Sequence, residues 1–153
     1  MDTSHPIDVK NRLLRELPVE DLDRILSMLE PVKLSEGKIL YRPNEPIDHI
    51  YFPQSATISV VAITSGGERH EIAVIGDDGV AGLAALLDAY STPYKNIVQF
   101  PGHAYRMQTT DARTEFDRNG AFQQVILHFA QRFFAQINHR SPRDSDPETP
   151  GQA

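Results

Sequence analysis

Cysteine is absent from this chain. Its absence removes disulfides, thiolate metal sites, iron–sulfur clusters, cysteine nucleophiles and thiol-based redox sensing in one step. Long apolar runs are lacking too, and the opening "MDTSHPIDVK" has no apolar core of the kind an export signal needs. The expectation is a cytoplasmic protein with no membrane span. Clustered positive charge is also missing: 15 Lys and Arg stand against 21 Asp and Glu, for a net charge of −6, and the basic residues are scattered singly. Gripping duplex DNA by its phosphates needs a basic face, so direct DNA binding by this chain is not expected. The six histidines (His5, His49, His70, His103, His128 and His139) include no pair at H-x-H or H-x-x-x-H spacing. That disfavours the open metal site of a β-barrel metalloenzyme. No G-x-S-x-G elbow supports a nucleophilic serine. No metal, no cofactor and no enzymatic activity are therefore expected.

At 153 residues the chain is the size of one domain, able to bury a core without metal or disulfide support. Residues 1–10 read as a flexible N-terminus. In residues 11–30, Leu13, Leu14, Leu17, Leu22, Ile25, Leu26 and Leu29 recur at helical spacing. Pro18, followed by acids, marks a break and a fresh helix start, giving two short helices with the second ending near Glu30. From 33 to 107 the pattern changes. "VKLSEG", "KILYRPNEP", "HIYFPQS", "TISVVAIT", "HEIAVIG", "NIVQFPG" and "AYRMQT" follow one another with the rhythm of a sandwich or barrel. "TSGGER" fits a tight hairpin, with Gly66 and Gly67 free to take positive φ. Residues 121–138 place Phe122, Val125, Ile126, Phe129, Ala130, Phe133 and Ile137 on one stripe of a helix about five turns long. Leu127 and Phe134 widen that stripe beyond what one small barrel covers, and an apolar helix face of this kind points to a partner, although the stripe could also be ordinary core. Residues 139–153, with three prolines and no large apolar side chain, read as a disordered tail.

One stretch interrupts the β block. "VIGDDGVAGLAALLD", Val74 to Asp88, sets three of the chain's nine glycines between a strand and a short helix expected over Val80–Leu87. Glycine lets backbone approach a ligand closely, and a helix start offers unpaired N–H groups to an anion. Gly76, Gly79 and Gly82 could equally serve a turn and tight packing. Lys95 and Arg69 are the nearest basic candidates for an anion, and Asp77 and Asp78 would favour a helix start while repelling a phosphate.

The order of two helices, a β-roll carrying a short glycine-framed helix, and a long apolar helix, together with "EPVKLSEGKILYRPNEPIDHIYFPQSATISVV", resembles the cyclic-nucleotide-binding sensor domain of bacterial Crp/Fnr-type transcription regulators. The resemblance covers residues 11–138. It implies a mainly β fold, a double-stranded β-helix (jelly-roll) with flanking helices, and assigns 121–138 as a dimerisation helix with Phe122, Val125, Ile126, Phe129, Phe133 and Ile137 at the interface. "VIGDDGVAGLAALLD" is similar to the family's phosphate-binding cassette. In the nucleotide-binding members that cassette reads Gly-Glu-Leu-Gly followed by Arg-Ser-Ala or Arg-Thr-Ala, the glutamate holding the ribose hydroxyl and the arginine the cyclic phosphate. Aligned on its glycines, this chain has Gly79, Val80, Ala81, Gly82 and Leu83, and its later triplet falls near Pro93, Tyr94 and Lys95. Valine replaces the glutamate and no arginine is present. A lysine does not reproduce arginine's bidentate grip on phosphate.

The cassette, with Tyr94 and Lys95, is thus expected to be a degenerate ligand site. In the full-length regulators the long helix leads into a winged helix-turn-helix, for which the fifteen residues after Asn138 leave no room. The expectation is a regulatory sensor module working as a homodimer, or as a heterodimer with a full-length Crp/Fnr-type regulator. The alternatives are a small-molecule-binding domain for a ligand other than a cyclic nucleotide, and a remnant without signalling output.

Overall fold

The computed structural model describes residues 9–89 and 91–140, with the side chains of 139 and 140 left aside. Most of the expected flexible N-terminus and disordered tail, residues 1–8 and 141–153, lies outside the described residues. Val9 packs against the core, and the Lys10 N–H donates to Gln54 Oε1 at 2.6 Å, so the ordered chain begins before residue 11.

Helices α1 (Arg12–Arg15) and α2 (Val19–Leu26) precede strand β1 (Leu29–Leu34). The strand therefore starts four residues before the expected 33. Leu29 sits at a helix-compatible spacing, but it pairs with Met107 in the sheet. Then follow β2 (Ile39–Tyr41), β3 (His49–Pro53), β4 (Thr57–Ile63), β5 (Arg69–Ile75), α3 (Leu83–Leu86), β6 (Lys95–Phe100), β7 (Gly102–Gln108), α4 (Thr109–Phe116) and α5 (Ala121–Arg140). All seven apolar segments of the β block are strands. They form two antiparallel sheets, ordered β1-β7-β3 and β2-β6-β4-β5, facing each other as a jelly-roll. The β4–β5 hairpin closes with Thr64 N–H to Glu68 O and Gly67 N–H to Thr64 O, both at 2.9 Å; of its two glycines only Gly67 takes positive φ. Helix α4 has no counterpart in the periodicity reading, because its apolar content is slight.

Two cores result. One lies inside the roll, with Tyr41, Ile58, Val60, Ile72, Ile75 and Val98. The other joins the outer face of the β1-β7-β3 sheet to the helices, through Leu13, Ile25, Phe52, Met107, Phe122 and Ile126. Helix α5 crosses from the second to the first. Its Gln136 Oε1 accepts from the Val74 N–H at 2.9 Å, covering part of the edge strand β5.

Asn11 ties the N-terminal helix to this framework. It is fully buried; its Oδ1 accepts from the Leu13 and Leu14 N–H groups at 3.0 and 3.3 Å, and its Nδ2 donates to Pro53 O and Gly79 O at 2.8 and 3.0 Å. One side chain thus caps α1 and fastens it to both β3 and the glycine-rich loop. Asn11→Ala is expected to lower unfolding free energy by about 2–4 kcal/mol, since it removes a cap and strands two buried carbonyls. Urea denaturation followed by circular dichroism measures this, and a loss under about 0.5 kcal/mol would contradict it.

Candidate ligand-binding site

The glycine-rich stretch is built differently from a phosphate cradle. Gly76 to Gly79 form a turn closed by Gly79 N–H to Gly76 O at 3.1 Å, and Asp77 O accepts from the Arg12 N–H at 2.6 Å. The turn thereby faces α1. Val80 and Ala81 continue as extended chain, with Ala81 exchanging both backbone hydrogen bonds with Tyr51 of β3, at 2.8 and 3.1 Å. Only at Leu83 does a helix begin, three residues later than the expected Val80, and α3 is a single turn of four residues. Asp77 and Asp78 therefore do not sit at a helix start.

Two of the three glycines, Gly79 and Gly82, are required by packing. A Cβ on Gly79 would lie 2.6 Å from the Phe129 ring of α5. At Gly82, which has φ +98°, a Cβ would lie 2.7 Å from the Tyr41 hydroxyl and 2.9 Å from Ile50. A side chain at Gly79 would push α5 away from the roll, and one at Gly82 would push the loop away from β2 and β3.

Beside this loop the roll opens into a cavity of about 350 Å³. Its floor is a row across the β2-β6-β4 sheet, Tyr41, Asn96 and Val60, which are register partners. Gly82, Leu83 and Ala84 form one wall, Pro93 and Tyr94 another, and Phe133, Phe134 and Ile137 of α5 close the mouth. Among the described residues, no lining side chain is charged. The Tyr41 hydroxyl donates to His49 O at 2.6 Å and lies 3.2 Å from Ala81 O; burial raises its pKa, keeping it a neutral donor.

Of the residues expected at the site, Val80, Gly82, Leu83 and Tyr94 line the cavity. Gly79, Ala81 and Lys95 do not; Lys95 is a half-buried residue at the start of β6, paired with Val61. Arg69 lies at the far end of β5, six residues from Ile75 and so about 20 Å away along the strand. Val80 is wholly buried and belongs to the helix-side core as well.

The expected interface on α5 needs correction. Phe122, Val125, Ile126 and Phe129 are buried in the chain's own core, while Phe133 and Ile137 are half-buried against the roll and line the cavity. The stripe read as a seam between chains is the face on which the helix docks. What remains outside is Leu127, 41% exposed, and Phe134, 47% exposed, one heptad apart.

Asn96 escaped the sequence reading. It is 5% exposed, lines the cavity, and its side-chain amide has no hydrogen-bond partner among the described residues. The signal was present in "KNIVQF": alternation places Asn96 and Val98 on the inward face of β6. A polar residue at an inward strand position is the anomaly.

A family model described as the cyclic nucleotide-binding domain matches residues 31–119, more than half of the chain. Among curated proteins, none matches. Among solved structures, the N-terminal domain of a transcriptional regulator from Streptomyces coelicolor A3(2) superposes with a TM-score of 0.63 at 18% identity, covering 86% of this chain and 94% of that one. The sensor domain of the transcriptional regulator DNR from Pseudomonas aeruginosa gives 0.61 at 17%, covering 90% and 89%. The catabolite activator protein of Thermus thermophilus gives 0.69 at 17%, covering 82% of this chain but 59% of that protein, so the chain spans less than two thirds of it. At these identities the likeness establishes fold, the jelly-roll with flanking helices that the residues resembling Crp/Fnr sensors imply. With the matched family model over β1 to α4, the chain belongs to the cyclic nucleotide-binding domain family.

Proposed function

We propose that this chain is a regulatory sensor domain whose cavity takes a small molecule other than a cyclic nucleotide, and that it signals as a pair of chains joined through α5. The carrying observation is the lining of the cavity: Val80 stands where nucleotide-binding members have glutamate, and among the described residues no cationic side chain reaches the space. A phosphate buried there would be uncompensated, at a cost of many kcal/mol if it stayed ionised. Regulatory binding, not catalysis, is the role, and with a net charge of −6 duplex DNA is not a ligand of this domain.

Thermal unfolding tests the ligand half of this reading. Cyclic AMP or cyclic GMP at 1 mM is expected to leave the midpoint unchanged. A ligand with micromolar affinity, say about 10 μM, would stabilise by about 2.7 kcal/mol and raise the midpoint by about 5–10 °C. A rise of that size would overturn the reading.

The pairing half rests on Leu127 and Phe134, exposed one heptad apart on α5. A second copy, or a full-length Crp/Fnr-type relative, laying its own α5 alongside in parallel would cover both. Leu127→Glu with Phe134→Glu is expected to convert a dimer to a monomer in light scattering at micromolar concentration, with the fold intact. An unmodified chain that is already monomeric, or a doubly substituted one that remains dimeric, would contradict it.

A further inference from the structure

The cavity's polarity narrows the ligand class. The space is apolar on nearly every side, and its polar groups are few. Tyr41 has spent its hydroxyl proton on backbone carbonyls, and the Thr92 hydroxyl accepts from the Tyr94 N–H at 3.2 Å. Asn96 stands apart from these. It sits on the floor, is more than nine-tenths buried, and its amide has neither donor nor acceptor partners among the described residues. Buried amides in folded proteins are almost always hydrogen-bonded, and those that are not mark a place where a partner is expected.

We propose, building on the sensor reading above, that the ligand is an uncharged, mainly apolar molecule, such as a fused aromatic, carrying one hydroxyl, carbonyl or amide group that hydrogen-bonds to Asn96. The volume sets its size. A cavity of 150 Å³ holds a benzene, so about 350 Å³ holds roughly a dozen non-hydrogen atoms. Tyr94 and Phe133 offer ring surface to such a body, and the absence of lining cations and anions among the described residues excludes ionised ligands of either sign.

Three probes of one shape test this by calorimetry on the full chain: 1-naphthol, naphthalene and 1-naphthoate. The neutral hydroxyl compound is expected to bind saturably, about tenfold more tightly than naphthalene, because only it satisfies Asn96. The carboxylate is expected to bind at least about a hundredfold more weakly than 1-naphthol. Asn96→Leu, which keeps the branched shape while removing the amide, should erase the preference for 1-naphthol over naphthalene while retaining naphthalene binding. Ala84→Phe, which fills the space from the half-buried wall, should abolish binding of both. Failure of 1-naphthol to bind, equal or tighter binding of 1-naphthoate, an unchanged preference in Asn96→Leu, or full affinity in Ala84→Phe would each overturn the proposal. Cyclic AMP in the same series separates the two readings. Its binding would overturn the sensor reading, whereas silence from both cyclic AMP and 1-naphthol overturns the neutral-ligand inference alone.

Discussion

Substituting aspartate for Phe129 is expected to leave the chain without a cooperative unfolding transition. The ring is 6% exposed, stacks on Phe133 with centroids 5.4 Å apart, and fills the space that Gly79 leaves open by lacking a Cβ. Deleting a buried phenylalanine ring costs about 3–5 kcal/mol by itself. Placing a carboxylate there adds several kcal/mol more, roughly, unless it is protonated or finds a cation. Arg132 lies nearby, its guanidinium carbon 5.9 Å from the ring centroid, but it is exposed and screened by solvent. The combined loss is about the entire stability of a domain of this size, roughly 5–15 kcal/mol. Urea titration followed by near- and far-ultraviolet circular dichroism provides the measurement. A Phe129→Asp protein that unfolds cooperatively at the unmodified midpoint would mean that α5 does not dock through this ring. The contrast is Phe134→Asp, at an exposed position on the same helix, where intrachain stability should change by less than about 0.5 kcal/mol.

That contrast also shows where reading the sequence succeeded and where it stopped. The strands were legible because each alternates about turn residues, and the length of α5 was legible because its apolar residues recur at three and four. What periodicity cannot supply is which body the stripe faces. Phe122, Val125, Ile126 and Phe129 satisfy the pattern of an interface and of a core equally, and the deciding fact is the close approach of the Phe129 ring to Gly79, far away along the chain. Gly79 and Gly82 likewise announce close approach without saying to what. The partner is a ring in one case, a tyrosine hydroxyl in the other. Asn11 gave no signal, since a helix-capping asparagine looks the same whether its amide nitrogen meets water or two buried carbonyls. Helix α4 failed for a different reason: "TTDARTEF" buries only Ala112 and Glu115, and Glu115 is held by Arg24 of α2 at 2.9 Å through a contact no local pattern encodes.

The second large effect concerns cyclic nucleotides. Members of the family that carry arginine and glutamate in the cassette grip the cyclic phosphate and the ribose hydroxyl; among the described residues neither lines the cavity of this chain. Loss of a buried charge pair costs about 2–5 kcal/mol, and loss of a hydrogen bond to a charged group about 1.5–3 kcal/mol. Together they amount to at least about three-hundredfold in affinity, at 1.4 kcal/mol per factor of ten, roughly. Restoring the glutamate alone does not help: Val80 is buried between the cavity and the helix-side core, where a carboxylate would meet no cationic lining side chain among the described residues. The glycine-rich stretch packs as part of the hydrophobic framework, with the Phe129 ring against Gly79 and the Tyr41 hydroxyl against Gly82.

Isothermal titration calorimetry of the purified chain at about 100 μM against cyclic AMP and cyclic GMP tests this account most directly, at a scale where millimolar dissociation constants still register, roughly. The predicted result is no saturable heat up to millimolar nucleotide from either ligand. Saturable binding of either with a micromolar dissociation constant would contradict it, because among the described residues no lining side chain offers a cyclic phosphate a counter-charge.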